Sequence, residues 1–110
     1  MEYIALKGVG KPVARICMGT SWFNPKLEDE IFRLLDTYFE NGGNCIDTGR
    51  FYGGATAEPI LKKYFESRRN RDQLVLVDKC CHPIVTADME NCFDYWRVKP
   101  DLMEDDLYFS

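Results

Sequence analysis

The sequence has one histidine, His82, and no apolar run approaching the length that crosses a bilayer. It has neither G-x-x-x-x-G-K nor G-x-G-x-x-G, so Gly53-Gly54 is not a phosphate-cradling loop. Zinc spacing is also missing. Cys80 and Cys81 are adjacent, with Cys92 distant, whereas zinc sites space their ligands as C-x₂₋₄-C, so no metal is expected. Basic clusters are scarce: the net charge is −4, the pI is about 4.9, and Arg68-Arg69-Asn70-Arg71 is the single basic run. That run follows a helical pattern and reads as a solvated helix end, which argues against a nucleic-acid or anionic-membrane partner. Met1-Glu2-Tyr3 lacks the basic start and apolar core of a signal peptide. The five cysteines are odd in number, and two (Cys17, Cys45) sit in strand-like runs, so they read as reduced, mostly packed thiols. A cytoplasmic location is the expectation.

What is present is an ordinary soluble composition, 45% hydrophobic and 29% charged over 110 residues, enough for one domain. The organising stretch runs from Asn44 to Gly54. A short apolar strand (Cys45, Ile46) leads to Asp47, a polar turn follows, then Tyr52, then Gly53-Gly54 before a helical segment. Strand, acid, loop, tyrosine and glycine pair make one βα turn, where α/β proteins place chemistry. Downstream, Leu74-Val75-Leu76-Val77-Asp78-Lys79 is a β-branched run ending in a lysine. Were the two strands neighbours in a parallel sheet, Asp47, Tyr52 and Lys79 would converge on one rim.

Taken in order, Tyr3 to Leu6 and Pro12 to Arg15 flank Gly8-Val9-Gly10 as a short hairpin. Ile16-Cys17-Met18, ending in Gly19-Thr20, suits a buried parallel strand, and Ser21-Trp22-Phe23 an aromatic loop. Asn24 caps and Pro25 starts a helix whose apolar stripe is Ile31, Leu34, Leu35, Tyr38 and Phe39. Gly42-Gly43 stops it. Thr56 is placed to cap a second helix with Ile60, Leu61, Tyr64 and Phe65 on its buried face, and the third strand spans Leu74 to Val77. This β-α-β-α-β order implies a parallel sheet with right-handed crossovers. Cys80 to Trp96 is expected to be irregular, and a helix begins at Pro100.

Chemically, an ammonium beside a phenol favours the phenolate, so Lys79 would draw the Tyr52 pKa down from its ordinary ~10. Asp47 would hold Lys79 in place and charged. Tyr52 would then donate a proton to a carbonyl oxygen as hydride reaches the carbon. The plainer alternative is a capping Asp, a surface Tyr and an exposed Lys. His82 reads as structural or substrate-facing, and Trp22 and Phe23 either line a pocket or cover the sheet rim.

These residues resemble the N-terminal third of an aldo-keto reductase. The resemblance is carried by Arg15-Ile16-Cys17-Met18-Gly19-Thr20, Gly42-Gly43-Asn44-Cys45-Ile46-Asp47-Thr48 and Phe51-Tyr52-Gly53-Gly54. Glu58-Pro59-Ile60-Leu61 and Asn70-Arg71-Asp72 before the lysine-terminated strand complete it. It implies a partial TIM (β/α)₈ barrel, made of an N-terminal hairpin and about three βα units, in which residues 1–110 are one segment of an NAD(P)-dependent oxidoreductase domain. It also implies NADPH or NADH as cofactor and a small-molecule carbonyl substrate. Tyr52, Asp47 and Lys79 take three of the four catalytic positions. Gly19, Thr20, Ser21 and Asp47 lie where the first loops approach the nicotinamide. The family's catalytic histidine ends the fourth strand and is not His82. Lys62 replaces a usual glycine, and Lys99 replaces the Asn, Ser or Thr that caps the third helix. A full barrel needs ~250 residues, and the family's dinucleotide phosphate site is built from its last two strands. The partner implied is therefore the missing C-terminal part of the barrel. The alternative expectation is a truncated, inactive relative that acts as a binding or interaction segment.

Overall fold

A computed structural model describes residues 1–81 and 97–109. His82, Cys92 and the segment expected to be irregular up to Trp96 lie outside the described residues.

Strands β1 (Tyr3–Ile4) and β2 (Val13–Ala14) pair antiparallel as the expected hairpin. Then come β3 (Met18–Gly19), α1 (Glu28–Glu40), β4 (Cys45–Gly49), α2 (Ala57–Arg68), β5 (Val75–Lys79) and α3 (Pro100–Phe109). The order β3-β4-β5 is all parallel, with β4 in the middle. Each βα connection is short, and both helices pack on the sheet face that carries Ile46, which is fully buried. The result is an α/β arrangement.

Local chemistry explains the elements. The Asn24 side chain accepts the Lys26 amide at 3.0 Å, and Pro25 occupies the first helical position of a 3₁₀ turn that runs into α1. Ile31, Leu35 and Tyr38 form the buried edge of α1, with Phe32 and Phe39 beside them. Leu34, expected in that stripe, is 38% exposed. The stripe is turned because α2 lies on the other side: the Tyr64 ring stands 5.3 Å from Phe32 and 5.8 Å from Phe39. The two helices are clamped by Asp36, which takes Arg68 at 2.9 and 2.7 Å and the Tyr64 hydroxyl at 2.9 Å. The guanidinium holds the Asp36 carboxyl below its usual range.

Two side chains fasten the hairpin and α1 to the central strand. Asn44 accepts the Ala14 amide and donates to the Pro12 carbonyl, both at 2.8 Å, while its own carbonyl accepts Val75 at 2.7 Å. The Tyr38 hydroxyl sits between the carbonyls of Ile16 (2.6 Å) and Cys45 (2.8 Å) and accepts the Cys45 amide at 3.1 Å. Gly43 is required beneath that ring, because an added Cβ would fall 2.3 Å from it.

Three expectations shift. The first strand of the parallel sheet is only Met18–Gly19, and Ile16 and Cys17 are exposed, since among the described residues β3 is paired on one side only. Thr56 stands at the N-cap of α2 without capping it. Its hydroxyl instead reaches the carbonyls of Phe23 (2.9 Å) and Gly53 (2.8 Å). The third strand, expected over Leu74 to Val77, starts at Val75 because a 3₁₀ turn at Arg71–Gln73 leads into Leu74, and it runs on to Lys79 in register with Gly49.

Helix α3 is fastened through Asp106. Asp106, buried, accepts Arg50 at 2.6 Å, Arg97 at 2.9 Å and the Cys81 amide at 2.8 Å. Burial alone would raise its pKa, but the Cys81 amide and the two guanidiniums outweigh this and hold it below the usual carboxylate range.

Gly43→Ala is expected to destabilise the chain by ~1–3 kcal/mol, since Tyr38 is tied at its hydroxyl and has no room to swing away. A urea midpoint equal to wild type refutes this. For Asp106 the sign follows from its depressed pKa. Its contribution is present above the unfolded value of ~3.9 and is lost as pH falls through the lower folded value. The Cys81 amide should therefore be protected from hydrogen exchange at neutral pH and lose that protection only below pH ~4. Equal protection in Asp106→Ala would overturn the assignment.

Candidate active site

The register of the sheet builds the site. Asp47 is paired with Val77, and Lys79 lies two residues beyond Val77 on the same strand. Side chains alternate with period two, so Asp47 and Lys79 project from the same face, the one opposite Ile46 and the helices. The ammonium of Lys79 stands 2.8 Å from each Asp47 carboxylate oxygen.

Tyr52 arrives from the loop between β4 and α2. Its amide donates to the Gly49 carbonyl at 2.9 Å, and its carbonyl accepts Thr56 and Ala57, so the residue is held at both ends. The loop is stitched to the one after β3 by Gly53 N–H to the Ser21 carbonyl (3.0 Å) and by the Thr56 hydroxyl on Phe23. Gly53 has φ +62°, and a Cβ there would lie 2.1 Å from the Phe23 carbonyl oxygen, so only glycine allows the two loops to touch. This fixes the phenol where Lys79 Nζ donates to it at 2.9 Å. The phenol oxygen is thus the acceptor from the amine, and its own proton points elsewhere.

The three residues expected together are therefore in one hydrogen-bonded row, Asp47–Lys79–Tyr52. Lys79 is 50% exposed and Asp47 27%. The pair with Asp47, and then the bond to Tyr52, raise the Lys79 pKa above that of an ordinary lysine, so the amine is charged at every physiological pH.

Of the first-loop residues, Gly19 and Ser21 are exposed and an added Cβ at Gly19 meets open space. Thr20 is fully buried. Its amide (3.1 Å) and hydroxyl (3.0 Å) both reach the Asp47 carbonyl, and the hydroxyl meets that of Thr48 at 3.0 Å. It positions the strand that carries Asp47 instead of facing the rim. Phe23 is fully buried and Trp22 about half exposed, their rings edge to face at 5.1 Å. Sequence reasoning missed Arg50 and Arg97, whose guanidiniums lie 5.2 and 5.1 Å from the Phe51 ring centre, next to Tyr52. A groove of about 390 Å³ between α2 and β5 is lined by Thr48, Leu61, Leu76 and Asp78, on the opposite face of the sheet, away from this row. Among the described residues no group of three or more His, Cys, Asp or Glu could hold a metal ion, and no helix is long and apolar enough to cross a membrane.

A sequence profile of the Aldo/keto reductase family matches residues 15–100. The chain belongs to the aldo/keto reductase family. It is 40% identical over 78 residues to norsolorinic acid reductase stcV of Emericella nidulans, covering 64% of this chain and 20% of that one. It is 44% identical over 48 residues to an aryl-alcohol dehydrogenase [NADP(+)] of Phanerodontia chrysosporium, covering 44% of this chain and 12% of that one. A crystal structure assigned to the aldo-keto reductases, from Pseudomonas aeruginosa, superposes with a TM-score of 0.66 at 27% identity, covering 78% of this chain and 33% of that one. The chain thus spans about a fifth of the length of the first curated relative, and oxidoreductase chemistry is the family's general function.

The row makes a direct prediction. Asp47→Asn removes the strongest support of the Lys79 charge, so the ¹⁵N-detected titration midpoint of that amine should fall toward the ordinary ~10.4. An unchanged midpoint means that the ion pair is not formed.

Proposed function

We propose that this chain is the N-terminal segment of a (β/α)₈ carbonyl reductase that uses NADPH or NADH, with Tyr52 as the proton donor. The observation that carries it is the Asp47–Lys79–Tyr52 row at the carboxyl ends of parallel strands. The phenol oxygen accepts from the ammonium, so its own proton remains available to a carbonyl oxygen approaching the rim. Asp47 keeps the lysine charged and aimed. An unpaired carboxylate at the rim would repel a developing oxyanion, so pairing Asp47 with Lys79 also neutralises that charge.

The described residues fit the nicotinamide end of the cofactor better than its phosphates. Ser21 beside the row and Asp47 within it offer polar groups, whereas Lys79 is engaged by Asp47 and Tyr52, and Arg50 and Arg97 by Asp106. When bound, the dinucleotide supplies the hydride to the carbonyl carbon. This chain holds the carbonyl oxygen near Tyr52 and delivers the proton. The phosphates are held by the C-terminal barrel segment, and the protein works in the cytoplasm on an aldehyde or ketone. The reductase and NADP(+) dehydrogenase names among its relatives support that substrate class.

One observation favours the second reading, an inactive segment, for the 110 residues alone. Among the described residues, strands β3 and β5 each pair on one side only, and Val77 at the rim is 43% exposed. Open edges of this kind need a partner.

In the full-length reductase, Tyr52→Phe should lower kcat for aldehyde reduction by ~10²–10⁴-fold and leave the NADPH dissociation constant unchanged. Unchanged turnover overturns the role of Tyr52. The isolated 110 residues should not oxidise NADPH with any aldehyde. Turnover by them that disappears in Tyr52→Phe overturns the need for the missing segment.

A further inference from the structure

Directly after Lys79, the chain presents Cys80 and Cys81, both partly exposed. Neighbouring residues of an extended strand point to opposite faces, which would separate the two thiols. Cys81 breaks that alternation. Its φ is +67°, in the left-handed region that a residue with a Cβ rarely enters, and its amide is held there by the buried Asp106 carboxylate at 2.8 Å. The turn leaves Cys81 Sγ 3.5 Å from Cys80 Sγ. That is far beyond the ~2.05 Å of a disulfide, so these are two unbonded thiols in contact.

We propose that Cys80 and Cys81 form a dithiol site that captures a trivalent arsenical, or an equally soft centre with two exchangeable positions, in a bidentate bridge.

The donor set fits that class. Zinc asks for four ligands in a tetrahedron, which adjacent cysteines do not supply. A monosubstituted trivalent arsenic needs only two sulfurs side by side. Partial burial, then the Cys80 thiol beside it, raise the Cys81 pKa, so at neutral pH it carries its proton. Chemistry that needs a free thiolate is therefore disfavoured here. Condensation with an arsenoxide does not need one. R–As=O and two S–H groups give R–As(S)₂ and one water: two As–S bonds form, the As–O bonds break, and both thiol protons leave on oxygen. No electrons are transferred and no oxidant is required. The bridge would close one residue beyond the Lys79 amine.

A second thiol pair is the internal competitor. Cys17, though exposed as a residue, turns its sulfur against Cys45, and desolvation there followed by that contact pushes its thiol up to about 12. Cys45 is buried in β4, so an incoming arsenical reaches Cys80 and Cys81 more readily.

The probe is phenylarsine oxide, added at one equivalent to the reduced 110-residue chain. Intact mass should rise by one phenylarsine oxide less one water, and titratable thiols should fall from five to three per chain. Cys80→Ser and Cys81→Ser should each weaken binding by ~10²-fold or more, because a single thiol forgoes the second, effectively intramolecular bond. Cys17→Ser, Cys45→Ser and Cys92→Ser should bind as wild type. A far-UV circular-dichroism spectrum equal to wild type in each serine variant shows that the loss reports the missing sulfur and not a change of fold. Undiminished binding in Cys80→Ser or Cys81→Ser overturns the proposal, as does loss of binding in Cys17→Ser or Cys45→Ser.

Discussion

Everything in this chain depends on β4 being paired on both sides. Met18 and Gly19 stand opposite Ile46 and Asp47 on one edge, and Val75 to Lys79 stand opposite Cys45 to Gly49 on the other. A slip of one residue between β4 and β5 would turn either Asp47 or Lys79 to the helix side and bury a charge under α2. The register is held from several directions. Asn44 ties β4 to the hairpin and to Val75, the Tyr38 hydroxyl ties its first residue to α1, and Thr20 ties the Asp47 carbonyl to β3. Local hydrogen bonds at both ends of a five-residue strand thus decide where a carboxylate thirty-two residues from its lysine will point.

Two carboxylates organise the cations near this rim, and their environments assign them different work. Asp106 is 1% exposed and gathers two guanidiniums and an amide, so breaking it would leave buried charge uncompensated, typically a loss of ~3–5 kcal/mol. That is a fastener. Asp47 sits in a half-exposed pair whose contribution to stability is small, as for surface ion pairs in general. Its effect falls on the charge state and aim of one amine. Stability is concentrated behind the rim, and groups able to respond to a ligand are left on it.

The local grammar of the chain was legible in sequence. Asn24-Pro25, Gly42-Gly43 and the two strand runs mark elements that formed where the residues predict, because capping, glycine conformers and period-two patterns act within a few residues. The convergence of Asp47, Tyr52 and Lys79 followed from one further rule, that successive βα units place parallel strands side by side. What was hidden needed knowledge of packing across long separations. Leu34 is exposed because α2 lies beside Phe32 and Phe39, and nothing in the stripe itself says on which side a partner helix will lie. Thr56 looked like a cap, yet its hydroxyl serves the neighbouring loop through Phe23. The contact between Arg50 and Asp106 joins residues 56 positions apart, with no motif at either end.

Exposure sets the limit on what the row achieves in these residues alone. With Lys79 half exposed and Val77 open beside it, water screens the ammonium's influence on the phenol. Moving the same pair from bulk water to the interface of a covered cleft, an effective dielectric falling from ~80 to ~20, strengthens the interaction roughly fourfold with no change in geometry. In the proposed reductase the distances within the Asp47–Lys79–Tyr52 row are therefore already set by β4, β5 and the Tyr52 loop, and the remainder of the barrel has a task these residues cannot perform. It covers the rim, removes the water, and lets an existing hydrogen-bonded row act on a carbonyl. An architecture of this kind separates the making of a site from its activation, since one part of the chain fixes the distances and another supplies the dielectric.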